Sequence, residues 1–114
     1  MREFIKVMKA LSDPNRVKIL KILQRRVLCV CEIQAAIGLA QSTASKHLKI
    51  LEDAGLIIYA KDGLWVNYQL ADGSRNPYVS SILGNLRHWL EEDAEVGAMV
   101  SRLPEIHRET ICGG

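Results

Sequence analysis

The sequence predicts a mainly α fold with one small β-hairpin. Three features predict it. Apolar residues recur at helical spacing through most of the chain, alternation of apolar and polar residues is confined to residues 66–70, and Pro, Gly and Asp cut the helical pattern at short intervals.

Phe4, Ile5, Met8 and Leu11 set a first short amphipathic helix. "SDPNR" stops it and starts another, because Asp13 can cap a helix whose first position is Pro14, where a missing N–H costs nothing. In this second helix Val17, Leu20 and Leu23 share a face, with Arg16, Lys18, Lys21, Arg25 and Arg26 expected outside it or near its end. A third helix is expected over residues 31–37, with Ile33, Ala36 and Ile37 inward and Gly38 as its left-handed terminator. In "QSTASKHLKILEDAGLI", Ala44, Leu48 and Leu51 then form an i, i+4, i+7 stripe that Gly55 ends. Two short helices joined by a tight Gly-containing turn make a helix-turn-helix, whose second helix is expected to read DNA.

In "LIIYAKDGLWVNYQL", Val66, Tyr68 and Leu70 alternate with Asn67 and Gln69 behind an Asp62-Gly63 turn, a hairpin expected to act as a wing. The final third, "NPYVSSILGNLRHWLEEDAEVGAMVSRL", reads as one long amphipathic helix. Its apolar stripe is large for so small a domain, and the first helix has a spare stripe too. Phe4, Ile5 and Met8, with Ile82, Leu83, Leu86, Trp89 and Leu90, are therefore expected to form the interface of a homodimer through the first and last helices. The expected organisation is one winged helix-turn-helix domain over residues 1–103 and a flexible tail over residues 104–114.

Composition narrows the function classes. With 48% hydrophobic and 25% charged residues the chain is of ordinary globular make-up. No apolar run approaches the roughly 18–20 residues that cross a bilayer, and "MREFIKVMKALSD" has no signal-peptide core, so a cytoplasmic protein without membrane partners is expected. Residues 1–61 hold 11 Lys/Arg against 5 Asp/Glu, and residues 62–114 hold 4 against 8. A basic first half suits a nucleic-acid face. Three cysteines in such a chain point to metal or redox chemistry more than to structural disulfides, and two of them, Cys29 and Cys31, are one residue apart in "VLCVCEIQ". CxC without CxxC, a βαβ pattern or a base argues against a thiol oxidoreductase, and no enzyme activity is expected.

Together "ALSDPNRVKIL", "VCEI", "QSTASKHLKILEDAGLI" and "DGLWVNYQL" resemble the ArsR/SmtB family of metal- and metalloid-responsive bacterial repressors, over residues 4–90. The resemblance implies a homodimeric winged helix that occupies an operator until an inducer releases it. Within that family "LCVCE" resembles the thiolate box of the arsenic/antimony sensors and of the cadmium/lead sensors. It implies Cys29 and Cys31 as ligands. The arsenic sensors often have a third cysteine three positions after the second, where this chain has Gln34, so Cys112 or an exogenous thiol is the candidate third sulfur. The cadmium sensors add cysteines from an N-terminal extension, and residues 1–28 have none. The inducer expected is thus trivalent arsenic or antimony, with a soft divalent ion (cadmium, lead or zinc) or a thiol-redox or persulfide signal as alternatives. His88, Glu91 and Glu92 do not reproduce the long-helix zinc site of other relatives and read as surface residues.

On a regular helix positions 29 and 31 would point about 200° apart, so chelation favours a non-helical Cys29–Cys31 segment and a shift at the start of the third helix. Such a coupling between sites is typically about 1–3 kcal/mol. A helix N-terminus with Arg25 and Arg26 nearby is expected to lower the thiol pKa. The partner is double-stranded operator DNA, an imperfect palindrome with half-sites about 34 Å apart. Gln41, Ser42, Thr43, Ser45, Lys46 and His47 are the candidate DNA contacts of the reading helix, with Lys61 on the wing. Ser42 and Thr43 can equally cap that helix, and His47 can equally be half-buried against the wing. Leu64 stands where relatives often carry a wing-tip arginine, which argues against minor-groove reading.

Overall fold

The computed structural model describes residues 1–111. The chain begins with α1 (Arg2–Ala10) and α2 (Pro14–Leu23), and a two-residue strand β1 (Leu28–Cys29) leads directly into α3 (Val30–Ile37). The DNA-reading candidate α4 (Gln41–Asp53) follows, then the hairpin β2 (Ile57–Asp62) and β3 (Trp65–Leu70). The C-terminal part comprises α5 (Pro77–Leu86), α6 (Ala94–Arg102), a 3-10 turn (Leu103–Glu105) and the one-turn α7 (Arg108–Ile111).

Local chemistry sets the boundaries. Asp13 Oδ1 accepts the N–H groups of Asn15 at 2.8 Å and Arg16 at 3.3 Å, so the cap of α2 forms as the sequence predicts. Burial pushes the Asp13 carboxyl up, but the N–H bonds from Arg16 and Asn15 and the charges of His47 and Arg16 outweigh it and hold the group below its ordinary value. Gly38 ends α3 at φ +82°, where its N–H reaches the Gln34 carbonyl at 2.7 Å.

The three strands are ordered β1-β3-β2, all antiparallel. Asp62 pairs with Trp65, so the two-residue loop is Gly63-Leu64, one position later than the Asp62-Gly63 turn expected. Gly63 at φ +62° takes the first loop position, where the hairpin twist needs a positive φ. β1 escaped the sequence reading because two residues carry no alternation. It pairs Leu28 with Tyr68 and Cys29 with Asn67.

The core gathers Leu20 of α2, Ile33 of α3, Leu48 and Leu51 of α4, Leu56 just before β2 and Val79 of α5. It also takes in Leu83 and Leu86, which the sequence reading assigned to a subunit interface. Their burial is within this chain.

The expected long C-terminal helix is broken. Residues 87–93 form a turn in which Leu90 has φ +61°, and Asp93 Oδ2 accepts the Val96 N–H at 3.0 Å to start α6. The break is held from inside. Lys21, expected outside, is 1% exposed. Its ammonium donates to the carbonyls of Leu86 at 2.9 Å and Trp89 at 2.8 Å and lies 3.5 Å from Glu91 Oε2. The Leu86 carbonyl ends α5 and the Trp89 carbonyl lies in the turn after it, and a continuing helix would use both itself. The charge is buried because it is paired.

Residues from 104 onward also depart from a flexible tail, as far as they are described. Ile106 is buried in the core, and α7 packs against α3.

Replacing Lys21 with Met keeps most of the volume but strands two carbonyls and Glu91. We expect Lys21→Met to cost about 3 kcal/mol in urea unfolding, against under about 0.5 kcal/mol for Lys18→Met at the partly exposed neighbouring ion pair. Equal, small effects would contradict the latch described.

Candidate nucleic-acid interface and thiol site

Helix α4 divides cleanly into two faces. Ala44, Leu48 and Leu51 are buried, while Gln41, Ser42, Thr43, Ser45 and Lys46 are exposed around its N-terminal turns. The N-cap is Ala40, which offers no side-chain acceptor. Ser42 and Thr43 therefore sit inside the first turn, not at the cap, and the leading N–H groups of α4 carry no side-chain cap at that position. Lys61 is exposed on β2, one of the two edge strands of the sheet.

His47 is placed differently from the rest. It is half-buried, with Nδ1 3.2 Å from an Arg16 guanidinium nitrogen and Nε2 4.0 Å from Asp13 Oδ1. Arg16 in turn donates to the carbonyls of Ala10 at 2.8 Å and Lys9 at 3.1 Å. The ring thus packs against the α1–α2 corner, not the wing, and joins the reading helix to that corner. It is the one member of the expected DNA set that the structure withdraws from the exposed face.

Cys29 and Cys31 straddle the junction between β1 and α3. Cys29 is the N-cap, with extended backbone at φ −87° and ψ 170°, and is 2% exposed; Cys31 lies half-buried in the first turn, its sulfur engaged in a disulfide. The start of the helix therefore falls between the two sulfurs. A capping box closes there: the Cys29 N–H donates to Glu32 Oε1 at 2.9 Å, and the Glu32 N–H points to the Cys29 side chain. Arg26 holds the buried Glu32 carboxylate at 3.2 Å.

The thiol pKa moves opposite to expectation. Burial pushes Cys29 up, and the Glu32 carboxylate beside it adds to the rise beyond what the Glu32 and Cys31 N–H groups offset. The arginines that were to lower it are engaged elsewhere, Arg26 on Glu32 and Arg25 on Glu91 at 3.7 Å. Gln34, at the position of the missing third cysteine, has its amide 3.4 Å from the Leu39 carbonyl across the turn into α4. Cys112 lies outside the described residues. Among the described residues no group of three or more His, Cys, Asp and Glu side chains is gathered as a metal site.

The remaining interface candidates divide. Phe4 and Ile5 are exposed on α1, and the Phe4 ring meets Tyr78 of α5 edge-on with centroids 5.3 Å apart. Met8 and Ile82 are half-buried beside them, whereas Trp89 and Leu90 are exposed in the turn after α5.

Sequence reasoning missed Glu32, although Cys-x-x-Glu is a capping-box spacing with sulfur in the place of a hydroxyl. It also missed Arg108 and Asn67, for which no local signal exists.

Residues 13–59 match the family described as "Bacterial regulatory protein, arsR family". A cadmium resistance transcriptional regulatory protein homologue of Staphylococcus aureus is 46% identical over 68 residues, which is 59% of this chain and 56% of that protein. The arsenical resistance operon repressor of Bacillus subtilis is 38% identical over 84 residues, 73% of this chain and 80% of the relative. The chain spans little more than half the length of the cadmium relative and of an SmtB homologue from Synechocystis. Among solved structures, a homodimeric winged helix-turn-helix DNA-binding domain of Mycobacterium bovis superposes with TM-score 0.66 at 26% identity, covering 82% of this chain and 83% of that one. The motif order, the exposed face of α4 on a three-stranded wing, and similarity over four-fifths of an arsenical operon repressor lead to one conclusion: the chain belongs to the arsR family, a family of winged helix-turn-helix transcriptional repressors and not of enzymes.

Proposed function

We propose that this protein occupies operator DNA as a homodimer and leaves it when trivalent arsenic or antimony is taken up by Cys29 and Cys31. The observation that carries this reading is the position of the thiols. They flank the first residue of α3, and α3 packs on the reading helix α4.

Cys29 already lies in extended backbone, so bringing the sulfurs onto one ion needs rearrangement only at Val30 and Cys31. That rearrangement opens the capping box and tilts α3, and α4 with it. The described residues supply two sulfurs. The third comes from Cys112 or from a free thiol in solution.

The raised Cys29 pKa favours arsenic over a divalent ion. Once a thiol reductant has opened the Cys31 disulfide, each thiol condenses with arsenous acid: an S–As bond forms, an As–OH bond breaks, and the thiol proton leaves in the departing water. No oxidation state changes, and no proton is released to solvent. A divalent cation must instead expel every thiol proton, which is harder the higher the pKa. Cadmium remains the second reading, favoured by the 46% identity to a cadmium regulator.

On DNA, the exposed Gln41, Ser42, Thr43, Ser45 and Lys46 face the major groove, and Lys61 of the wing meets phosphate. The uncapped start of α4 suits a phosphate oxygen. The apolar surface of Phe4, Ile5, Met8 and Ile82, on the mutually packed α1 and α5, forms the centre of the dimer contact, with Trp89 and Leu90 as candidates at its margin.

Lys46→Ala is expected to weaken operator binding by about tenfold and to lower the salt-dependence slope by about 1 per half-site, measured by anisotropy titration at several salt concentrations. An unchanged slope would remove Lys46 from the phosphate set.

In excess reductant, arsenite should release the operator from wild type but not from Cys29→Ser or Cys31→Ser. Between pH 6 and 8 the half-releasing arsenite concentration should hold within about threefold, while that of cadmium falls about tenfold per pH unit for each proton displaced. Arsenite release with the cadmium slope, or release from the serine variants, defeats the assignment.

A further inference from the structure

Residues 103–111 lie between the thiol junction and the wing and are bound to both. Just ahead of the segment, Arg102 at the end of α6 donates to the Ala36 carbonyl in the last turn of α3 at 2.6 Å. Arg26, which holds the capping-box carboxylate of Glu32, donates a second bond to the Ile106 carbonyl, and Ile106 itself is buried. On the wing side Arg108 makes polar and cation–π contacts. The Arg108 guanidinium donates to Asn67 Oδ1 at 3.1 Å and to Asp62 Oδ2 at 3.3 Å, and lies over the Trp65 ring at 5.0 Å.

The residues it grips are specific places in the sheet. Asp62 and Trp65 are the pair that closes the hairpin. Asn67 is the register partner of Cys29, and paired residues in an antiparallel ladder put their side chains on one face. Arg108 therefore joins the closing pair of the wing to the rung that carries the buried thiol. A second connection runs through Cys29 N–H, Glu32, Arg26 and the Ile106 carbonyl into the same segment.

We propose that residues 103–111 are a strap, with Arg108 as its clamp, that makes the order of the wing depend on the state of the Cys29–Glu32 cap. With the cap closed, the strap holds the wing in its DNA-binding position. When a ligand at Cys29 and Cys31 opens the cap, Glu32 and the Asn67 rung shift together, the guanidinium loses its seat, and the wing loosens. The wing is then a second output of the thiol site, beside the tilt of α4. This rests on the assignment of Cys29 and Cys31 as ligands made above. Arg108 is a positioning residue, since it acts through the wing and not on the ligand.

The test is hydrogen–deuterium exchange, in excess reductant throughout, of wing peptides spanning residues 57–70 in wild type, Arg108→Ala and Arg108→Lys, each with and without arsenite, with operator affinity measured alongside. Without arsenite, both variants should exchange faster in the wing by about tenfold, as expected for loss of a charge-assisted bond, with α2 and α5 unchanged. Arsenite should speed wing exchange in wild type to that level and add nothing in the variants. Operator affinity should fall in Arg108→Lys as in Arg108→Ala, because lysine keeps the charge but not the fork. Affinity restored by lysine, with the wing unperturbed, would make Arg108 a plain phosphate contact and overturn the strap. Wing exchange unaltered in both variants, or equal acceleration by arsenite with and without Arg108, also overturns it. If arsenite fails to add mass to wild type while both variants still loosen the wing, the ligand assignment and the link to the thiols fall, and the clamp on the wing alone stands.

Discussion

The structure turns on where α3 begins. Cys29 ends a two-residue strand, caps the helix and lies opposite Asn67 in the sheet, all while buried. Serine, threonine or aspartate would hold that cap firmly with a strong oxygen acceptor. Sulfur is a weak one, so the junction relies on Glu32 returning its carboxylate to the Cys29 N–H and on Arg26 holding that carboxylate. A helix start secured this way is closed at rest yet open to competition for its sulfur.

A second buried ionic contact organises the other half of the chain. Lys21 collects the carbonyls of Leu86 and Trp89, fixes the exit of α5 and redirects the backbone so that α6 returns to pack on α2 and α3. Arg102, at the end of α6, then reaches the Ala36 carbonyl. The same break leaves Trp89 and Leu90 exposed in a turn while Leu83 and Leu86 point inward. The apolar surface left over is accordingly smaller than an uninterrupted C-terminal helix would present.

Much of this was legible in the residues. The Asp13-Pro14 start, the Gly38 stop, the Ala44-Leu48-Leu51 stripe and the hairpin each rest on a local rule, and local rules survive folding when nothing distant opposes them. What was not legible depended on partners far along the chain. Lys21 looks like an exposed lysine until carbonyls 65 and 68 positions away are known to surround it. The amphipathic pattern runs unbroken through residues 87–93, and only Asp93, a strong cap before "AEVG", hints at a restart. The Cys29 thiol was misjudged for the same reason: neighbouring arginines in sequence were spent on carboxylates in space. His47 belongs with these cases, drawn to Asp13 and Arg16 instead of the wing.

The two faces of α4 have a consequence for how such proteins diversify. Its inward stripe is made of Ala44, Leu48 and Leu51 alone, and the outward positions 41, 42, 43, 45 and 46 take no part in the core. The thiols reside on a different segment, joined to α4 by a short glycine-containing turn. On the function proposed above, target sequence and chemical stimulus can therefore drift apart over evolutionary time, one scaffold being re-addressed to a new promoter without relearning which element it answers to.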